Sequence, residues 1–118
     1  MSEYYYQIKG QAKTLNYKLQ QLYPPAQFQL IKESDGSAED IQSGNGFAIL
    51  RKYDDTQIFS GNSINITDGA NGKGEYRWQA NDITVVGNYY LQFVIDPNGD
   101  RKYIYIPEGD MRFNIVVT

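Results

Sequence analysis

Asp96, Asn98 and Asp100 stand at alternate positions in Asp-Pro-Asn-Gly-Asp, the spacing with which a calcium loop begins. Such a loop then needs a glycine at its sixth position and a bidentate glutamate at its twelfth, and this chain has Arg101 and Pro107 there. A turn accounts for the same letters more simply, with Asn98-Gly99 supplying the left-handed conformation after Asp96-Pro97. Asp54, Asp55, Asp68 and Asp82 are the carboxylates that could in principle pair across a glycosidic bond. Each sits beside a turn, where aspartate bonds nearby backbone, and nothing singles out two of them. Gly69, Gly72 and Gly74 precede a strand rather than a helix and lack the Gly-Lys-Ser/Thr ending that cradles a phosphate.

The 118 residues include no cysteine and no histidine. That removes thiol nucleophiles, zinc fingers and the serine–histidine–aspartate arrangement, and it removes a disulfide-held scaffold. The expectation is a protein that is not an enzyme, with no cofactor and no metal. The formal charge is −3 and the pI near 4.8, with Lys and Arg scattered singly, so nucleic acid is not an expected partner. No apolar run approaches the ~18 residues of a membrane-spanning helix, and the N-terminus lacks a basic stretch followed by an apolar one, so no membrane partner is expected.

The elements that must carry any site are strands. In 74–106, three runs alternate apolar and polar residues and two turn signals separate them, which is the mark of half-buried antiparallel strands. Tyr76 and Trp78 share one face; after Gly87, so do Tyr89, Leu91, Phe93 and Ile95. Upstream, Leu15, Tyr17 and Leu19 begin a strand that Pro24-Pro25 ends. Gln27–Lys32 follows, then Phe47–Tyr53, apolar on both faces and so expected at a sheet centre. Gln57–Ser60, Ile64–Ile66 and Met111–Val117 complete the set. These spacings predict an all-β fold, an immunoglobulin-like antiparallel β-sandwich of eight or nine short strands over residues 13–118. Phe28, Leu30, Leu50, Tyr76, Trp78, Tyr89, Leu91, Phe93, Phe113 and Ile115 are the expected core. Tyr89, just after Gly87-Asn88, occupies the place of the tyrosine that bonds back to the corner before strand F in immunoglobulin-like sandwiches.

Eleven tyrosines are an excess for a chain of this length; strand propensity, with the ring packed and the hydroxyl exposed, accounts for a single tyrosine more simply than an interface does. Tyr4, Tyr5 and Tyr6, three in a row, cannot all face one core, and residues 1–12 read as a tyrosine-rich leader, either an arm or an added edge strand. Together with Tyr90 and Tyr103 they are the candidate partner contacts, because tyrosine offers contact area at low entropic cost.

The chain resembles the N-terminal immunoglobulin-like domain of phage baseplate upper proteins. The resemblance rests on Phe28-Gln29-Leu30 with the Ser-Asp-Gly turn after it, Leu50-Arg51-Lys52, and Ile66-Thr67-Asp68 leading to Gly74-Glu75-Tyr76-Arg77-Trp78. It continues through Gly87-Asn88-Tyr89, Phe93-Val94-Ile95, Asn98-Gly99, Pro107 and the strand around Phe113 and Ile115, covering about residues 26 to 117. The leader departs from it, lacking a Gly-Asp-Thr opening, and no receptor-binding or coiled-coil segment follows Val117, so the expectation is the module alone. The resemblance implies a structural protein of the virion, in tail, baseplate or neck, made in the cytoplasm of a bacterial host. It would act through contacts with other virion proteins or itself, and it supplies no catalytic residues. The rival expectation is a carbohydrate-binding module stacking a glycan on Tyr90, Tyr103 or Trp78, and burial of Trp78 separates the two.

Overall fold

A computed structural model describes residues 4–7, 14–32, 36–106 and 113–118. Among the described residues ten strands follow one another: β1 (Tyr4–Gln7), β2 (Thr14–Tyr17), β3 (Ala26–Lys32), β4 (Asn45–Lys52) and β5 (Gln57–Ser63), then β6 (Asn65–Asp68), β7 (Lys73–Tyr76), β8 (Gly87–Asp96), β9 (Ile104–Ile106) and β10 (Phe113–Val117). They form two sheets, a smaller one in the order β1-β3-β7-β6 and a larger one in the order β2-β10-β8-β4-β5, with β9 also on β8. β8 is the axis of the larger sheet. On one side β4 pairs along its whole length; on the other β10 takes its first half and β9 its second.

Read with immunoglobulin letters, the small sheet is A-B-E-D and the large one G-F-C-C′, so the expected all-β sandwich is what the chain forms. Two details differ from expectation. Among the described residues there are ten strands, and one ladder is parallel, Thr14–Tyr17 beside Asn114–Val117. Both have one cause: the first strand is divided, its leading piece β1 pairing antiparallel with β3 and its second piece β2 crossing to β10 in the other sheet. Tyr4, Tyr5 and Tyr6 therefore have backbone partners (Lys32, Ile31 and Leu30), so that residues 4–7 form an added edge strand, one of the two forms expected for this segment. β4 lies between β8 and β5, as its two apolar faces require.

All ten expected core residues are buried, and the core cluster joins them to Tyr17, Ala26, Ile41, Ala48, Ile95, Ile104 and Val117. Aromatic rings pack between and within the sheets: Phe28 of the small sheet lies 4.8 Å from Phe93 of the large one, and Phe93 lies 6.3 Å from Phe113 beside it in the large sheet, each pair adding roughly 0.5–1.5 kcal/mol beyond area burial. Gly74 has its reason here rather than in a phosphate loop. A Cβ at that position would come within 2.6 Å of Phe28 Cζ, so the missing side chain is the space the Phe28 ring fills.

Candidate functional site

Trp78 lies just past β7, which stops at Tyr76, and not within a strand as the alternation indicated. It is nonetheless buried, packed edge-on against Tyr17 and Tyr76 with centroids 5.6 and 5.3 Å away. Beside it, the Tyr76 hydroxyl donates to Asp82 Oδ2 at 2.5 Å and accepts from Asn62 Nδ2 at 3.0 Å. Asp82 Oδ2 also accepts the Gln79 N–H at 2.8 Å. Burial, with the Asp82 carboxylate adding to it, pushes the Tyr76 hydroxyl above the ordinary phenol range. Asp82 is thus the clasp of the turn that follows β7, and its oxygen is engaged with the tyrosine. The cleft over this cluster, lined by Leu22, Ile83 and Val117 among others, measures about 20 Å³, the space of roughly one water. A second hollow of about 220 Å³ is lined by Gln27, Phe28, Thr67, Lys73 and Gly74, below the usual size of a small-molecule pocket.

The Asp96–Asp100 sequence forms a turn, with Gly99 at φ +73°. Both Asp96 carboxylate oxygens accept the Arg101 N–H at 3.2 Å, and Asp100 Oδ1 accepts the Lys102 N–H at 3.2 Å. Asp54 does the same at its own turn, accepting the Thr56 N–H at 3.0 Å, and hydrogen bonds from the Thr56 side chain and backbone hold its carboxyl below the usual range. Among the described residues, no three Asp or Glu side chains converge as a metal centre would need.

Tyr89 is where the sequence places it: its hydroxyl donates to the Val85 carbonyl at 2.5 Å, closing the corner before β8. Tyr90 requires a correction. It is 7% exposed, its ring lies 6.2 Å from that of Tyr53, and its hydroxyl donates to Asp55 Oδ1, so it is not an open docking surface. The turn after β4 folds back over it, which a residue count along β8 does not reveal. Tyr103 is half exposed. Tyr4, Tyr5 and Tyr6 lie on the small sheet and so are not gathered with Tyr90 and Tyr103.

What does gather is the outward face of the large sheet. Ala48, Leu50, Tyr89, Leu91, Phe93 and Ile95 point into the core, so Phe47, Ile49, Tyr90, Gln92, Val94 and Asp96 point away from it. Register aligns Phe47, Val94 and Tyr105 in one row across β4, β8 and β9. Ile49, Val94 and Tyr90 are buried yet stand outside the core cluster, which makes this face a second apolar layer. Tyr53, Tyr103 and Tyr105 rise around it, each about half exposed. Tyr53 and Tyr105 were not among the expected contacts. The alternation of Tyr103 and Tyr105 with Ile104 and Ile106 was the signal for one of them; nothing local marks Tyr53.

Scanned against models of protein families, the sequence matches none, and no curated protein matches it either.

Proposed function

We propose that this chain is a non-enzymatic structural protein of a phage particle, in tail, baseplate or neck, that works by protein–protein contact. The observation that carries the contact half of this reading is the aromatic outer face of the large sheet, where Tyr53, Tyr103 and Tyr105 surround the second apolar layer. Interfaces are enriched in this residue type, and a domain with no other use for such a face would be expected to carry polar side chains there. The particle half rests on the resemblance of residues 26–117 to baseplate upper protein domains. The carbohydrate-binding alternative keeps Tyr103 as a platform, while Trp78 and Tyr90 lie inside at 6% and 7% exposure.

Antibody raised against the purified chain should decorate one fixed position on intact phage particles from a lysed host, seen by negative-stain electron microscopy. Protein found only in the soluble fraction, with bare particles, would overturn the reading. A glycan array giving a saturable hit that Tyr103→Ala abolishes would favour the alternative.

A further inference from the structure

We propose that Asn98 is a site of self-modification: its side chain cyclises onto the next backbone nitrogen and opens to isoaspartate and aspartate, and the change loosens β9 from β8. The proposal concerns the chemistry of one turn and does not rest on the assembly reading.

The chain has three Asn-Gly pairs, at 45–46, 71–72 and 98–99. Glycine brings no Cβ to shield its own backbone nitrogen, so cyclisation meets least hindrance in this dipeptide. At 98–99 the Gly99 nitrogen attacks Cγ of Asn98 and an N–Cγ bond forms. The Cγ–Nδ2 bond breaks, and the amide nitrogen leaves as ammonia with the proton of the Gly99 N–H. Water then opens the five-membered imide at either carbonyl, giving aspartate or isoaspartate. Water is the only co-reactant.

The fold protects two of the three pairs. Gly46 lies in the β4–β8 ladder opposite Ile95, and its carbonyl accepts the Ile64 N–H at 3.3 Å. It is also enclosed, since a Cβ there would come within 2.6 Å of the Val94 carbonyl oxygen. Asn71 Nδ2 donates to Asp68 Oδ2 at 2.8 Å, and its carbonyl accepts from Gln29 Nε2 at 3.0 Å. The Gly72 N–H, whose nitrogen would have to attack, donates to the Gly69 carbonyl at 3.1 Å. Asn98 is placed differently. It and Gly99 are exposed in the turn between β8 and β9, and outside the chain neighbours the nearest atom to a Cβ on Gly99 would be the Ser43 carbonyl oxygen at 3.4 Å. The side chains that brace the turn are Asp96 and Asp100; among the described residues none holds the Asn98 carboxamide. The Gly99 N–H lies across the turn from the Asp96 carbonyl, and at the surface such a contact opens locally at little cost.

Isoaspartate carries the chain through the former side-chain carbonyl and so adds one backbone carbon to the turn. Turn length sets hairpin register, and β9 holds to β8 through three pairs, Ile95 with Ile104, Val94 with Tyr105 and Phe93 with Ile106. The turn has little slack. Asp96 is buried with both oxygens on the Arg101 N–H, and Arg101 sits at φ +66°, where an L side chain is disfavoured. The added carbon displaces Arg101 from that bond, and the three-residue pairing beyond it weakens.

Tryptic peptides 33–51, 53–73 and 78–101 each hold one of the three pairs, so mass spectrometry reads them separately. In folded protein incubated at mildly alkaline pH, conversion at Asn98 should run at least about tenfold ahead of that at Asn45 and Asn71. In guanidinium the three rates should converge. Amide exchange of Ile104–Ile106 should quicken as the converted fraction grows, and Asn98→Gln, whose longer side chain cyclises far more slowly, should show no such change. Equal conversion of the three pairs in the folded chain, or an Asn98 that persists there while the unfolded chain converts, would overturn the site. Unchanged exchange in fully converted protein would overturn the loosening of β9.

Discussion

The indole Nε1–H of Trp78 donates to the hydroxyl of Tyr17 at 2.9 Å, and that hydroxyl donates onward to the carbonyl of Pro24 at 2.5 Å. Tyr17 belongs to β2 in the large sheet, and Trp78 follows β7 of the small one. The relay therefore ties the two sheets at the end where the first strand crosses between them. Tyr17→Phe keeps the ring and leaves a buried N–H without its acceptor, which should cost ~1–3 kcal/mol in urea denaturation. Trp78→Ala should cost ~3–5 kcal/mol by opening a cavity. A loss under ~1 kcal/mol for the alanine variant would place the indole at the surface and return attention to sugar stacking.

Gly74→Ala tests the packing of Phe28. With 2.6 Å between the new Cβ and Phe28 Cζ, the ring must move, and it is wedged against Phe93. The expected destabilisation is ~1–3 kcal/mol. Pairing it with Phe28→Leu should cost less than the sum of the two single changes, measured as a double-mutant cycle; simple additivity would show that the ring and the glycine are independent.

Alkaline pH should unfold the protein through its tyrosines. Burial raises the hydroxyl pKa of Tyr17, Tyr76 and Tyr89. Their stabilisation is fully present below about pH 10, the unfolded value, and is lost as pH rises through the folded values. In that window the unfolded chain binds fewer protons than the folded one, so stability falls by up to about 1.4 kcal/mol per pH unit for each tyrosine still protonated. Phenolate absorbance should show one fast-titrating group of tyrosines and a second that appears only with loss of the near-ultraviolet circular-dichroism signal. A single smooth titration with the fold intact would contradict the burial of these hydroxyls.

Deletion of residues 1–8 removes β1 and with it the partners of Gln29–Lys32 on one side of β3. An edge strand of four residues carries little of the core, so the sandwich should remain folded with a lowered midpoint. The exposed aromatic face of the large sheet should be unaffected, since it belongs to the other sheet. Loss of folding would make β1 a core element, and loss of association with the fold intact would move the contact to the leader.

Much of this architecture is legible in the residues themselves. Period-two alternation fixes which side chains share a face, and hydrophobicity fixes which face goes inward, so Phe28, Leu91, Phe93 and Ile115 could be placed in the core from their neighbours alone. Tyr89 could be placed at its corner because Gly87-Asn88 marks where the strand begins. Turn chemistry at Asp96–Asp100 was equally local, since the carboxylates bond N–H groups within five positions.

Other features depend on groups far apart in sequence, and only the fold brought these together. Tyr90 reads as outward-facing, and it is; it is covered because the turn at Asp55, 35 positions earlier, takes a positive φ and folds back onto it. Tyr53 joins the same face through that turn. The division of the first strand between two sheets leaves no trace in two four-residue segments, each too short for a periodic signal. Alternation decides inside from outside for one strand. Whether an outward side chain ends up covered or open is decided by what the rest of the chain lays over it, and that is set by long-range register.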